Sequence, residues 1–232
     1  MLDFLLPMGI SLLVIEAFML LLWMIYLIQK NISLAGIGWG LSFILAALIS
    51  FILGEGYVWR RLLVLTVVSI WALRLVLHLI SRFHQGLEDP RYQKVLHSPL
   101  LPGPITLKAL TLYLLQGLFA AVLSLPFALM SQNVLPFFGT CEVFGLLIWM
   151  AGVSGEAVAD RQLERFKQTP GNGEIVCKQG LWKYARHPDY FFEWVIWIGY
   201  FVMALSSPLG WLSVIAPILM LYLMLYASRA CP

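Results

Sequence analysis

The stretch GLWKYARHPDYFFEW (Gly180–Trp194) gathers Arg186, His187, Asp189 and Glu193 where a polar segment turns apolar. Pro188 suits the first turn of a helix, where its missing N–H costs nothing. A helix is therefore predicted to start at or near His187. Its free N–H groups and positive dipole end, beside Arg186, offer what an anion such as a pyrophosphate requires. Asp189 and Glu193 are four residues apart and share a face that Trp197 continues, with Glu193 about 6 Å deeper at 1.5 Å per residue. At that depth a carboxyl group suits donation of a proton or a hydrogen bond. A plainer reading has Asp189 complementing the helix dipole and Glu193 serving as a structural partner for Arg74.

A second constellation is GVSGEAVADRQLERFK (Gly152–Lys167), with Glu156 and Asp160 one turn apart and Lys167 almost two turns further on. Carboxylates so placed accept hydrogen bonds from ribose hydroxyls or an amide, and a downstream cation meets phosphate. From Asp160 onward a solvated helix end would look the same. A third, WALRLVLHLISR (Trp71–Arg82), spaces Arg74, His78 and Arg82 by four, which makes a basic stripe on one helical face. A mid-membrane arginine costs about 2.5–3.5 kcal/mol on the lenient scale, which favours a place in a site. The alternative is that Arg82 snorkels to headgroups and Arg74 pairs with a buried acid. Glu16 either faces a cavity or pairs with His78. Aromatics such as Trp194 are more often interface or core residues than stacking platforms.

The elements that must position these side chains are membrane spans. Of the 232 residues 61% are hydrophobic and 12% charged, an apolar share above the roughly half of a soluble domain. A span needs about 20 mostly apolar residues. Seven are read, at 5–29, 33–53, 61–80, 108–130, 141–158, 190–205 and 209–227, in one all-α domain, 1–232, that forms a polytopic helical bundle. The first is preceded by MLDF, without a basic region, and runs too long for a signal peptide, so it is expected to remain as a span. Cys141, Cys177 and Cys231 are scattered, with no metal-ligand or disulfide spacing. Twelve of the fifteen Lys and Arg fall on one side if the N-terminus is outside, which predicts a cytoplasmic C-terminus by the positive-inside bias. The two long polar loops, 81–107 and 160–189, lie on that inner side. LHSPLLPGP (Leu96–Pro104) and KQTPGNGE (Lys167–Glu174) read as irregular breaks. No basic patch with interleaved aromatics on a soluble face is present, so nucleic acid is not an expected partner.

In order and spacing, WALRL and SRFHQGLEDPRYQ (within Trp71–Gln93), LQGLF (Leu115–Phe119), EAVADRQLERFK (Glu156–Lys167) and GLWKYARHPDYFFEW resemble the steroid 5α-reductase superfamily. The similarity runs from about Ser33 to about Leu223 and is nearest to a bacterial branch catalogued as a domain of unknown function. It implies a seven-span bundle whose cytoplasmic-side pocket binds NADPH, and hydride delivery to the β-carbon of a conjugated enone. The resemblance places Glu156, Asp160, Lys167 and Asp189 at cofactor-holding positions and Glu193 at the glutamate near the substrate. Glu156 and Asp189 stand where the steroid reductases have asparagine, and a carboxylate can accept but not donate. Trp71 falls near a substrate tyrosine of those enzymes. Relatives continue past the last span in a basic, tyrosine-containing tail that covers the adenosine phosphates, whereas this sequence stops at LYLMLYASRACP (Leu221–Pro232). A relative lacking that tail is therefore expected.

The RHPDY signature also resembles membrane methyltransferases similar to isoprenylcysteine carboxyl methyltransferase, where it lines an S-adenosylmethionine site. EDPRY and ADRQLERF favour the reductase, and a truncated non-catalytic relative is the third reading. The resulting expectation is NADPH across the inner ends of spans five and six, with phosphates near Arg186, His187, Lys167 and Arg82. A lipophilic small molecule enters from the bilayer, and Glu193 with Tyr190 polarises its carbonyl. The expected location is a bacterial inner membrane, in contact with membrane lipid.

Overall fold

A bilayer offers no water to backbone groups, so a long apolar segment satisfies them within itself as a helix. The computed structural model describes residues 3–84, 90–97, 103–169 and 175–230, and among these it contains helices and no strand. The helices are α1 (Leu5–Gln29), α2 (Leu34–Leu53), α3 (Val58–His84), α4 (Pro90–Leu96), α5 (Ile105–Leu123), α6 (Leu125–Ser131), α7 (Thr140–Gln168), α8 (Pro188–Ala204) and α9 (Ile215–Ala230). Short 3-10 turns at Gly180–Lys183 and Gly210–Val214 precede α8 and α9. Among the described residues, six stretches are long and apolar enough to cross a membrane: Leu5–Gln29, Leu34–Leu53, Val58–Ser81, Ile105–Ser131, Thr140–Gln168 and Gly210–Ser228. The span read at 190–205 corresponds to α8, whose 17 residues lie at the short limit of about 17–25 for a spanning helix.

Three boundaries differ from the sequence reading for identifiable reasons. The segment 108–130 is broken at Ser124, whose hydroxyl bonds back to the Ala120 carbonyl at 2.8 Å. Pro126 at the start of α6 supplies no N–H to continue the ladder. α7 runs 29 residues, past the apolar span read at 141–158. The tail Ala159–Gln168 is rich in strong helix formers, so the helix carries its charges beyond the apolar layer instead of stopping at them. α3 starts at Val58, ahead of Arg60 and Arg61, because both guanidinium groups find acceptors in the folded bundle.

Arg60 is 1% exposed and all its donors are used. It pairs with Glu142 through Nε and Nη2, and its Nη atoms donate to the carbonyls of Asn133 (2.8 Å), Leu135 (2.8 Å) and Phe137 (2.6 Å). Glu142 in turn accepts from the Gly139 N–H at 2.6 Å, which caps α7. Arg61 donates to the Phe51 and Gly54 carbonyls at 2.9 and 2.6 Å, closing the end of α2.

α8 packs along α7 at backbone distance because glycines face each other. A Cβ on Gly199 would lie 2.8 Å from Trp149 Cβ, and one on Gly145 would lie 2.8 Å from the Gly199 carbonyl oxygen. Small residues permit such approach between membrane helices. Inside the bundle, Phe43, Trp71, Phe127, Trp197 and Tyr200 form one buried aromatic cluster with centroids 5.1–6.3 Å apart.

Arg60→Leu leaves the Glu142 carboxylate buried without its cation and is expected to cost about 3–5 kcal/mol of stability. Arg60→Leu/Glu142→Leu should recover much of that loss. Unfolding of the four forms in detergent measures the coupling, and strictly additive single effects would contradict it.

Candidate functional site

The approach to α8 is fastened to α7 by two side chains to which the sequence reading gave no role. The Leu181 N–H donates to Gln162 Oε1 at 2.8 Å, and Trp182 Nε1 donates to the Ala159 carbonyl at 3.0 Å. Gly180 has φ +57°, and the Gln162 amide occupies the space a Cβ would need. This turn delivers Arg186 and His187 to the start of α8. Neither Gln162 nor Trp182 follows a periodicity that sequence alone could flag. The helix begins at Pro188 with His187 as its N-cap, as expected.

Arg74 of α3 reaches α7 and joins both of its candidate acids. One Nη pairs with Glu156, and the other donates to Asp160 Oδ2 at 2.7 Å. Glu156 is buried, and Asp160 one turn later is partly exposed. Glu193 takes different partners from the arginine considered for it. Trp71 Nε1 donates to its Oε2 and Trp197 Nε1 to its Oε1, each at 3.0 Å. Arg74 is thus paired with the acids of α7, and the deeper carboxyl of α8 is gripped by two indoles that meet edge to face at 5.5 Å. Trp71 and Trp197 are both 0% exposed. Sequence reasoning had the i, i+4 spacing of Glu193 and Trp197 but no means of pairing Trp71 with them.

At the start of α8 the His187 ring stacks on Tyr190, with centroids 4.8 Å apart and planes 15° apart. His187 Nδ1 lies 3.9 Å from Asp189 Oδ1. His187 Nε2 and Asp189 Oδ1 are buried and have no hydrogen-bond partner among the described residues. Lys167, near the end of α7, and Arg186, just before α8, are exposed. The side chain of Arg82 lies outside the described residues, as do residues 98–102 and 170–174 of the two irregular breaks. His78 is exposed, so the basic stripe contributes Arg74 alone to the described cluster. Glu16 does not meet His78; its carboxylate rests against Gly117 of α5. α3, α7 and α8 therefore converge on a graded set of groups: exposed cations, then half-buried His187, Asp189 and Asp160, then buried Glu156 and Glu193.

An apolar bundle, all-helical among the described residues, with stretches long enough to cross a membrane, defines an integral membrane protein. Residues 22–231 match the family described as Protein of unknown function (DUF1295), and the chain belongs to that family, which is known as a steroid 5-alpha-reductase-like domain. The matched range contains every residue of the site. No curated protein and no solved structure matches the chain.

Trp71→Phe and Trp197→Phe keep an aromatic ring but each remove one donor from the Glu193 carboxyl. Each is expected to cost about 1–3 kcal/mol. Melting of the purified variants in detergent checks this, and Glu193→Leu in the Trp71→Phe background should lose less than the two changes summed. Equal stability of Trp71→Phe and wild type would show the bond to be idle.

Proposed function

We propose that the protein is a membrane-embedded, NADPH-dependent reductase of a carbon–carbon double bond conjugated to a carbonyl in a lipophilic substrate. The observation that carries this reading is a buried carboxyl, Glu193, set among indoles on the same helix whose N-terminus forms a polar mouth with unpartnered buried atoms. The family's steroid 5-alpha-reductase-like character supports it.

The residues present suit the cofactor. Lys167, Arg186 and the N–H groups at the start of α8 attract phosphate. Asp189 Oδ1 is an unused acceptor and His187 Nε2 an unused ring nitrogen, which fits the hydroxyl and amide donors of a ribose or carboxamide. Glu156 and Asp160 are held by Arg74, so their remaining lone pairs keep a fixed direction. NADPH, when bound, supplies a hydride to the β-carbon of the enone.

The chain's own groups bind, polarise and exclude water. With a proton on one oxygen, Glu193 donates a hydrogen bond to the substrate carbonyl and draws electron density from the β-carbon. Tyr190, three residues earlier, lies on the same side of α8 and joins Glu193 in polarising the carbonyl; a proton delivered to the α-carbon completes the reduction. The buried aromatic cluster around Glu193 keeps the reacting atoms dry. The basic end faces the cytoplasm, where the positive-inside bias puts it and where the cofactor is dissolved; in a bacterium this is the inner membrane.

Binding of NADPH and of S-adenosylmethionine to the purified protein, measured side by side, tests the reading. NADPH should bind, and Asp160→Ala should weaken it about tenfold, equivalent to about 1.4 kcal/mol. Glu193→Gln should retain binding and lose most enone reduction. Tight binding of S-adenosylmethionine with no NADPH signal would replace the reductase with a methyltransferase.

A further inference from the structure

A second polar cluster lies between α1 and α5, neither of which supplies a residue to the site above. Glu16 sits near the middle of α1, and its carboxylate occupies the notch left by Gly117 of α5, where a Cβ would stand 2.8 Å from Oε1. Its Oε2 is buried without a hydrogen-bond partner among the described residues. Gln116 donates through Nε2 to the Tyr92 hydroxyl at 3.1 Å, which leaves its buried Oε1 without a donor. Tyr113, one turn before Gly117 on the same face of α5, is 0% exposed. Its ring lies 6.1 Å from that of Tyr26 on α1, and its hydroxyl has no partner among the described residues.

Buried polar atoms are normally bonded, and at membrane depth water does not make up the shortfall. Two acceptors and one hydroxyl remain over, all within about one turn of α5. Their complement is a group that donates to a carboxyl or amide oxygen and accepts from a phenol, which a hydroxyl does. An ammonium also donates, but bringing its charge to mid-membrane is costly. The helix surfaces beside the notch are apolar and open: Leu13 and Leu20 on α1, Leu115 and Leu118 on α5. They offer a track for a hydrocarbon chain.

We propose that the α1–α5 seam is a binding site for a membrane lipid with a free hydroxyl, seated on Glu16, Gln116 and Tyr113. The site stands independently of the reductase reading, since it shares no residue with it. The test is photolabelling of the full chain in lipid nanodiscs with diazirine-bearing hexadecanol, its methyl ether and the matching amine, with labelled peptides mapped by mass spectrometry. The alcohol should label α1 and α5 about tenfold more than the ether, the worth of about one hydrogen bond, and more than the amine. Unlabelled hexadecanol should compete, and Glu16→Leu and Tyr113→Phe should each lower the signal several-fold while Glu55→Gln, in the connection between α2 and α3, leaves it unchanged. Equal labelling of the wild type by alcohol and ether would overturn the proposal whether or not the variants fold. So would a stronger signal from the amine, or folded variants that label like the wild type.

Discussion

Two arginine–glutamate pairs, one buried and one partly buried, tie α3 to α7, and they are in register. Arg60 and Arg74 are fourteen residues apart on α3, and their partners Glu142 and Glu156 are fourteen apart on α7. Fourteen residues is close to four helical turns, about 21 Å, on both helices, so the pairs lie on facing sides of two helices that run the same way. A charge in the apolar layer must be paired to be tolerated, and this requirement fixes the axial position of α3 against α7. Slipping one helix by a turn would separate both pairs at once.

Everything around the candidate site follows from that registration. With Arg74 held at the level of Glu156 and Asp160, Trp71, three residues earlier, falls at the level of Glu193 and closes on it together with Trp197. The backbone-distance packing of α7 on α8 sets how near the three helices come. The Gln162 and Trp182 contacts then bring the polar approach segment down onto α7, so that the charged mouth and the aromatic interior share one helix, α8. The Arg60 node at the opposite end holds the 133–139 loop by three of its carbonyls, a rigid cap rather than a place for chemistry.

The α1–α5 seam follows the opposite rule. There the polar atoms of Glu16, Gln116 and Tyr113 are buried, and partners for them are missing among the described residues. The contrast between a saturated Arg60 and an unsaturated seam is chemical: a guanidinium surrounded by carbonyls has no capacity left, while lone carboxyl and phenol groups keep theirs.

By itself the sequence determined the all-helical membrane class, because runs of apolar residues that long admit no other backbone solution in a bilayer. It also determined the start of α8 at Pro188, the shared face of Asp189, Glu193 and Trp197, and the pairing of Glu156 with Asp160 on one turn, since each is a matter of local geometry. The helices run past the apolar spans read at 141–158 and 61–80: α7 continues through Asp160 to Gln168, and α3 begins at Val58, before Arg60. Only the tertiary structure decided which acid Arg74 meets, that Trp71 shares Glu193 with Trp197, and that Gly117 receives Glu16. Those contacts join residues 82, 122 and 101 positions apart in sequence, for Arg74–Glu156, Trp71–Glu193 and Glu16–Gly117 respectively. Helical periodicity fixes a side chain's angle about its own axis and carries no information about which neighbouring helix that angle will face.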